Sequence, residues 1–307
     1  MQIDTIPPHS AKAWLIATRP KTFGVAIAPV LSARSVTLSD TGRVNVLVAF
    51  LTILLAILMQ AITNMENDAG YTKRKAERDN RKGLPRATSL GLLSVQEVEW
   101  GIRFLAIFAL LITIYFIYIT QWIFLLITLC SVAAAYMYMG GPKPIAYTPY
   151  GEIAVFIFFG LVATCGTYYL QLHTVSNNVT IVACAIGLIA SAVLCVNNFR
   201  DIEHDESIQR YTMAVVLGRK WTVVAYKCMI FIPFLLILIL VVNSPDRYPY
   251  LFVLASLPMA ISLPKRLIEL KGNALNQILF ATVKLELAFT LSLSIGALIH
   301  AYLTWFH

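Results

Sequence analysis

Runs of apolar residues, each close to 20 residues long, alternate with short polar segments along almost the whole chain. An α-helix of that length matches the thickness of a bilayer's hydrocarbon core. The pattern predicts nine membrane-spanning helices, at residues 22–38, 45–66, 102–119, 121–139, 152–171, 179–199, 221–242, 248–264 and 283–305. We therefore predict an all-α polytopic membrane protein. Its single domain spans residues 1–307, of which 1–13 form a polar N-terminal tail.

Composition supports the membrane class. Of the 307 residues, 58% are hydrophobic and 13% are charged, and the mean hydropathy is +0.73. A soluble domain carries about 25% charged residues. The five cysteines all lie within apolar runs and show no CxxC spacing. They are typical of small packing residues, so the sequence predicts neither a disulfide framework nor a cysteine metal site.

Basic residues are concentrated in alternate loops, as the positive-inside rule describes for loops on the cytoplasmic side. The loop after the second predicted span alone carries Lys73, Arg74, Lys75, Arg78, Arg81, Lys82 and Arg86. This bias predicts a bacterial-type inner-membrane protein whose N-terminus and site-bearing loops face the cytoplasm. It also explains most of the net charge of +8, so a nucleic-acid partner is not needed to account for that charge. The expected partner is the lipid bilayer.

Two apolar runs end in similar polar clusters. The first cluster contains Asn64, Asn67 and Asp68, and the second contains Asn197, Asn198, Arg200, Asp201 and Asp205. The i, i+4 steps within each cluster place its side chains on one helix face. Placing amides and carboxylates at the end of a membrane span costs free energy, so their presence there indicates a function. Together the two faces would form an oxygen-rich site of the kind that binds Mg²⁺.

The second cluster also has a simpler interpretation, in which Arg200 and Asp201 form a helix-end ion pair of little energetic value. Against it, Asn197 and Asn198 lie deeper in the span, where an unsatisfied amide costs free energy. Convergence of these groups favours a ligand site. Surrounding bases could neutralise a diphosphate there, namely Lys21, Lys73, Arg81, Arg86, Arg200 and Lys284. Topology alone explains most of them, but Lys284 begins an apolar run and is expected to be a buried amine that needs a counter-charge.

Several segments resemble a known family. They are Arg19-Pro-Lys-Thr, Gly141-Pro-Lys-Pro-Ile-Ala-Tyr-Thr with Gly151-Glu152, Phe158-Phe-Gly-Leu-Val-Ala, and Asn197-Asn-Phe-Arg-Asp-Ile-Glu-His-Asp205. In combination they resemble the UbiA superfamily of intramembrane prenyltransferases, and specifically its 1,4-dihydroxy-2-naphthoate branch. The resemblance covers nearly the whole chain.

The resemblance implies a nine-helix bundle around a central cavity that is capped by cytoplasmic loops. It implies Mg²⁺-dependent transfer of a polyprenyl group from a polyprenyl diphosphate to 1,4-dihydroxy-2-naphthoate or a similar aromatic acceptor. Asp68, Asp201 and Asp205 are then catalytic residues, and together with Glu77 they are the expected metal ligands. The expected substrate-binding residues are Lys21, Asn64, Asn67, Tyr71, Lys73, Arg81, Tyr147, Asn197, Asn198, Arg200 and Lys284.

The chain departs from the family pattern at two places. Tyr71 stands where the first motif has a metal-binding acid, and Gln209-Arg210 replaces the Gly-Lys that usually follows the second motif. The loss of an acid at Tyr71 leaves other functions open. One is a terpene cyclase that ionises the same diphosphate without an aromatic acceptor. Another is a catalytically impaired membrane protein that binds lipid or quinone. A transporter is the weakest alternative, because the basic groups lie on one side only.

Overall fold

The computed structural model describes residues 6–75, 83–139 and 144–306, and all regular secondary structure in these ranges is helical. The α-helices are α1 (Ala11–Thr18), α2 (Gly24–Thr41), α3 (Val46–Lys73), α4 (Val95–Thr120), α5 (Trp122–Met139), α6 (Gly151–Val155), α7 (Ala163–Leu172), α8 (Asn177–Arg200), α9 (Ile202–Ser207), α10 (Met213–Asn243), α11 (Leu257–Glu269) and α12 (Leu275–Trp305). A π-helical turn, Phe156–Val162, joins α6 to α7, and a 3₁₀ segment, Pro245–Ser256, precedes α11.

The expected all-helical membrane class is confirmed, and the chain is a multi-pass membrane protein. Seven helical segments in the described ranges are long and apolar enough to cross a bilayer. An eighth crossing is the pair Ala11–Thr22 and Gly24–Thr41, which is bent by 44°. The remaining predicted run, 121–139, corresponds to a shorter apolar helix, Trp122–Tyr138. Each of the nine predicted runs therefore has a helical counterpart, although only seven or eight meet the length of a full span.

Helix α8 lies at the centre of the bundle and packs against α2, α10, α12 and the π-helical turn. Its buried residues include many small side chains, among them Ala183, Ala185, Ala190, Ser191 and Ala192. Inside a bilayer, helices associate through close packing, and small residues let their backbones approach. A central helix of this composition lets several neighbours converge, which brings the polar end of α8 to the middle of one end of the bundle.

A second, smaller core fixes the segment in front of α4. Leu92 and Leu93 from this segment pack with Ala13 of α1 and Met65 of α3. The side chain of Ser94 caps α4 by accepting a hydrogen bond from the Glu97 amide, and Glu97 caps the Ser94 amide in return. This capping box satisfies backbone groups that the first turn of a helix leaves free. The result is an ordered loop over the polar end of α3.

The close crossing of α8 with the π-helical turn predicts a sharp steric effect. A Cβ atom on Gly187 of α8 would lie 2.8 Å from the Gly160 Cα and 2.8 Å from the Phe156 carbonyl oxygen. We expect Gly187→Ala to lower the free energy of unfolding by about 1–3 kcal/mol, because backbone atoms must separate to admit the methyl group. Thermal unfolding in detergent measures this. Gly166→Ala is the matched control, since nothing lies within 4 Å of its added Cβ. Equal stability of the two variants would contradict the packing.

Candidate functional site

Arg200 and Asp201 form a buried, forked ion pair where α8 ends. Nε and Nη2 of Arg200 donate to the two carboxylate oxygens of Asp201 at 2.9 and 2.5 Å, and the two side chains are 0% and 3% exposed. Two further amide oxygens hold the guanidinium, Asn197 Oδ1 at 2.8 Å and Asn276 Oδ1 at 2.6 Å. Paired donors on a rigid fork match carboxylate or phosphate geometry. The arrangement is therefore more than a solvated helix-end pair.

Asp205 lies one turn further on, in α9, and is fully buried. Its Oδ1 accepts a hydrogen bond of 3.1 Å from Arg210 Nη1, whereas its Oδ2 has no donor among the described residues. Burial raises the pKa of Asp205 to about 6 despite the neighbouring Arg210, and the negative charge of Asp201 contributes to the rise. The two acids predicted for the second motif are thus electrostatic neighbours.

Arg210 links the second predicted cluster to Tyr71, which lies near the end of the helix that carries the first cluster. Its Nε donates to the Ala146 carbonyl oxygen at 2.7 Å, and its Nη1 donates both to Asp205 and to the Tyr71 hydroxyl. The other face of the site is closed by Arg86, whose guanidinium carbon lies 3.5 Å from the centroid of the Tyr71 ring. At position 71, where the family pattern has an acid, this chain therefore has a tyrosine that contacts Arg210 and Arg86.

Glu152 is a site residue that sequence reasoning missed as a candidate ligand. It is buried at the start of α6, and its Oε1 accepts a hydrogen bond of 2.9 Å from Asn198 Nδ2. Arg210 and Asp205 both act on it electrostatically. An available signal was the carboxylate itself, which sits next to Gly151 at the start of an apolar run. Such a charge is expensive in a span unless it has a partner.

Three buried oxygens near this point have no hydrogen-bond donor in the described part of the chain. They are Asp205 Oδ2, Glu152 Oε2 and Asn198 Oδ1. Carboxylate and amide oxygens are the ligands that hard divalent cations prefer. Within the described ranges no group of three or more His, Cys, Asp or Glu side chains could hold a metal ion. A cation site here would accordingly use two carboxylates and one amide, and the donor set fits Mg²⁺.

The first predicted cluster holds backbone segments together. Asn64 Nδ2 donates to the Thr18 carbonyl oxygen at 2.8 Å and to Thr22 Oγ1 at 3.1 Å. Both carboxylate oxygens of Asp68 accept hydrogen bonds from the loop before α4, from the amides of Ala87 and Thr88 at 2.8 and 2.9 Å. These contacts fix the loop over α3. The assignment of Asp68 as a catalytic metal ligand stays a prediction.

Other predicted residues are distributed around the site. Asn67 is half-buried, and its carbonyl oxygen accepts a hydrogen bond of 2.8 Å from Arg86. Tyr147 is half-buried and packs against Tyr71. Lys73 forms an ion pair with Glu99 of α4. The predicted residues Glu77 and Arg81 lie outside the described residues.

The expectation of a buried amine at Lys284 is wrong. Lys284 is exposed, as is Lys21, whose Nζ lies 5.6 Å from the Phe280 ring centroid. Two positions along α12 from Lys284, on another face, Glu286 is fully buried. The prediction of burial failed because position in an apolar run does not reveal which face of the helix a side chain occupies.

Comparison with known proteins gives one family. The sequence pattern of the UbiA prenyltransferase family matches residues 26–303. A 1,4-dihydroxy-2-naphthoate octaprenyltransferase of Haemophilus influenzae is 34% identical over 67% of this chain and 70% of its own length. A protein of the same name from Bacillus subtilis is 27% identical over 92% of this chain and 91% of its own length.

Solved structures share the fold. A UbiA homolog from Archaeoglobus fulgidus, bound to GPP and Mg²⁺, has a TM-score of 0.63 and 16% identity, covering 92% of this chain and 100% of its own. The apo structure of a UbiA homolog from Aeropyrum pernix has a TM-score of 0.66 and 16% identity, covering 92% of this chain and 98% of its own. At this identity the likeness establishes the helical architecture.

The backbone at Gln209 gives a prediction about the turn that carries Arg210. Gln209 has a φ of 56°, in the left-handed region that costs an ordinary residue about 1 kcal/mol or more. We expect Gln209→Gly to raise the free energy of unfolding by up to about 1 kcal/mol, since glycine lacks the Cβ that causes the strain. The control is Glu206→Gly, within α9, which should lower it by about 1 kcal/mol. Thermal unfolding would contradict the turn if both variants were destabilised alike.

Proposed function

The chain belongs to the UbiA prenyltransferase family, and we propose that it transfers a polyprenyl group from a polyprenyl diphosphate to 1,4-dihydroxy-2-naphthoate, in menaquinone synthesis. One observation carries the proposal. Two buried arginines, Arg200 and Arg210, lie with Asp201 and Asp205 at the polar end of the central helix, beside buried oxygens that lack donors. The naphthoate acceptor is supported by the names of the similar proteins from Haemophilus influenzae and Bacillus subtilis.

The residues divide into two roles. Asp205, Glu152 and Asn198 would hold Mg²⁺ through their free oxygens, and Asp201, Asp68 and Glu77 remain proposed further ligands. Bound there, Mg²⁺ would supply positive charge that stabilises the departing diphosphate. Arg200 and Arg210 would orient the diphosphate through their fixed positive charge, because most of their N–H groups already donate to protein oxygens. The apolar interior of the bundle takes the isoprenoid tail and keeps water from the allylic cation until the acceptor ring attacks.

Arg210 explains how this site works with Tyr71 in place of an acid. A carboxylate at this position would need a cation beside it. The Tyr71 hydroxyl instead accepts a hydrogen bond from Arg210, so the guanidinium contributes a permanent positive charge at this point. Electrostatic groups held in place before reaction need no reorganisation as charge develops. We infer that part of the positive charge that metal ions provide elsewhere in the family is built into this chain.

The orientation follows from the distribution of basic residues. We propose that the N-terminus and the loops around the site face the cytoplasm of a bacterial-type inner membrane, as the positive-inside rule predicts. The whole chain, 1–307, would act as one membrane domain, with residues 26–303 matching the family.

Turnover by the purified protein tests the proposed function. Detergent-solubilised protein is supplied with Mg²⁺, prenyl diphosphates of several lengths and 1,4-dihydroxy-2-naphthoate, with 4-hydroxybenzoate in parallel. We expect a prenylated, decarboxylated naphthalene product by mass spectrometry. Release of diphosphate with a cyclised hydrocarbon and no prenylated ring would overturn the proposal in favour of a terpene cyclase. Absence of any consumption would favour a binding protein.

Replacement of one acid tests the second motif. We expect Asp205→Asn to lower kcat/KM by about 100-fold or more, because it removes a buried negative charge at the proposed cation site. The matched control is Glu206→Gln, the same change at the neighbouring exposed position. Full activity of Asp205→Asn, with the control also active, would contradict the assignment.

Three variants test the charge that Arg210 supplies. We expect Arg210→Gln to lower kcat/KM by about 100-fold. Arg210→Lys should retain part of the activity, because the ammonium keeps the charge without the fork. Tyr71→Phe keeps the ring against Arg86 and removes only the hydroxyl, so it should lose less than Arg210→Gln. Steady-state kinetics with matched unfolding curves separate charge from folding, and an active Arg210→Gln variant would refute the role.

A further inference from the structure

A cavity of about 760 Å³ lies on the side of α8 that faces α10 and α11. Arg200 and Asp201 line one wall, and the opposite walls come from α10 and from residues 268–272, at the end of α11 and just beyond it. Asp205, Arg210 and Tyr71 do not line this cavity. The cavity and the candidate active site therefore occupy different sides of the end of α8 and share only the Arg200–Asp201 pair.

The cavity carries uncompensated positive charge. Its five basic residues are Arg200, Arg219, Lys220, Lys227 and Lys271, whereas its acids are Asp201 and Glu203. Each acid is already paired, Asp201 with Arg200 at 2.5 Å and Glu203 with Arg219 at 2.6 Å. None of the three lysines forms an ion pair within the described residues. Three ammonium groups thus converge on one cavity without a counter-charge.

Lys227 lies deeper than topology alone would place a lysine. It is eight residues beyond Arg219 along α10, which is about 12 Å of helix at 1.5 Å per residue. It lies within the predicted span 221–242 and within an observed membrane-crossing helix. An amine at that position is costly unless an anion accompanies it. The positive-inside rule accounts for lysines in loops and leaves Lys227 unexplained.

The rim of the cavity is apolar and open. Val224 is 40% exposed and Ile268 is 58% exposed, and both line the cavity. Trp221, 60% exposed, lies on the same helix between Lys220 and Val224. Exposed aliphatic side chains contact lipid in a membrane protein, and tryptophan favours the level of the headgroups. A ligand here would place its anionic part among the lysines and its apolar part against the rim.

We propose that this cavity binds the phosphate headgroup of an anionic phospholipid, with its acyl chains along the exposed faces of α10 and α11. Basic pockets between membrane helices on the cytoplasmic side suit such headgroups. A soluble phosphate or diphosphate would satisfy the same ammonium groups, but it would make no use of Val224 and Ile268. This proposal does not rest on the proposed prenyl transfer, although the cavity shares the Arg200–Asp201 pair with the candidate active site.

The experiment measures lipid binding by native mass spectrometry of the full chain in a neutral detergent. The probes are phosphatidylglycerol, phosphatidylcholine of the same acyl chains, and inorganic diphosphate. The test variant is Lys220→Gln with Lys227→Gln and Lys271→Gln. The matched control is Lys12→Gln with Lys75→Gln and Lys265→Gln, which removes three exposed lysines on the same predicted side but outside the cavity. Thermal unfolding in phosphatidylcholine checks that both variants fold.

We expect wild type and control to bind phosphatidylglycerol much more tightly than phosphatidylcholine. One lysine near an anionic headgroup is worth about fivefold in affinity, so the test variant should lose roughly 100-fold. Unchanged phosphatidylglycerol binding by the folded test variant would overturn the proposal. An equal loss of phosphatidylglycerol affinity in the control variant would show that only net charge matters, and would also overturn the proposal. Binding of inorganic diphosphate without binding of phosphatidylglycerol, lost in the test variant alone, would overturn the lipid assignment.

Discussion

The guanidinium of Arg210 connects parts of the chain that are far apart in sequence. It bonds to the Ala146 carbonyl, to the Tyr71 hydroxyl at the end of α3, and to Asp205 in α9. A buried ion pair stabilises a structure only when its remaining donors and acceptors are satisfied, since desolvation of both charges is costly. The additional bonds to Ala146 and Tyr71 meet this condition. They also align the two polar clusters, and so the geometry of the candidate site depends on this one side chain.

The fold was predictable to the extent that a bilayer imposes it. Every apolar run became a helical segment, because helices satisfy their own backbone hydrogen bonds in lipid. The second cluster was predictable as well, since Asn198, Arg200, Asp201 and Asp205 are all buried at the end of α8 and in α9. The predicted single helix face is not continuous, because α8 ends at Arg200 and Asp205 lies in the separate helix α9.

Features that depend on tertiary contacts could not be predicted from the sequence. Both carboxylate oxygens of Asp68 contact a loop about twenty residues later, and no local pattern marks that contact. Glu152 reaches the site because α6 packs against α8. Lys284 is exposed because of its position around α12, which the sequence did not reveal. The end of α8 serves two environments, the Arg210 site on one side and the lysine-lined cavity on the other. Arg200 and Asp201 contribute to both, so a ligand in the cavity would contact a pair that belongs to the active site.

Binding of a divalent cation tests the buried oxygens most directly. Mn²⁺ replaces Mg²⁺, a prenyl thiodiphosphate that resists ionisation is added, and binding is followed by electron paramagnetic resonance in detergent. We expect saturable Mn²⁺ binding by the wild type, weakened about tenfold or more in Glu152→Gln and in Asp205→Asn, and unchanged in Glu206→Gln. Mn²⁺ affinity that is unaffected by Glu152→Gln and Asp205→Asn would show that the buried oxygens do not hold the cation, and would contradict the site described here.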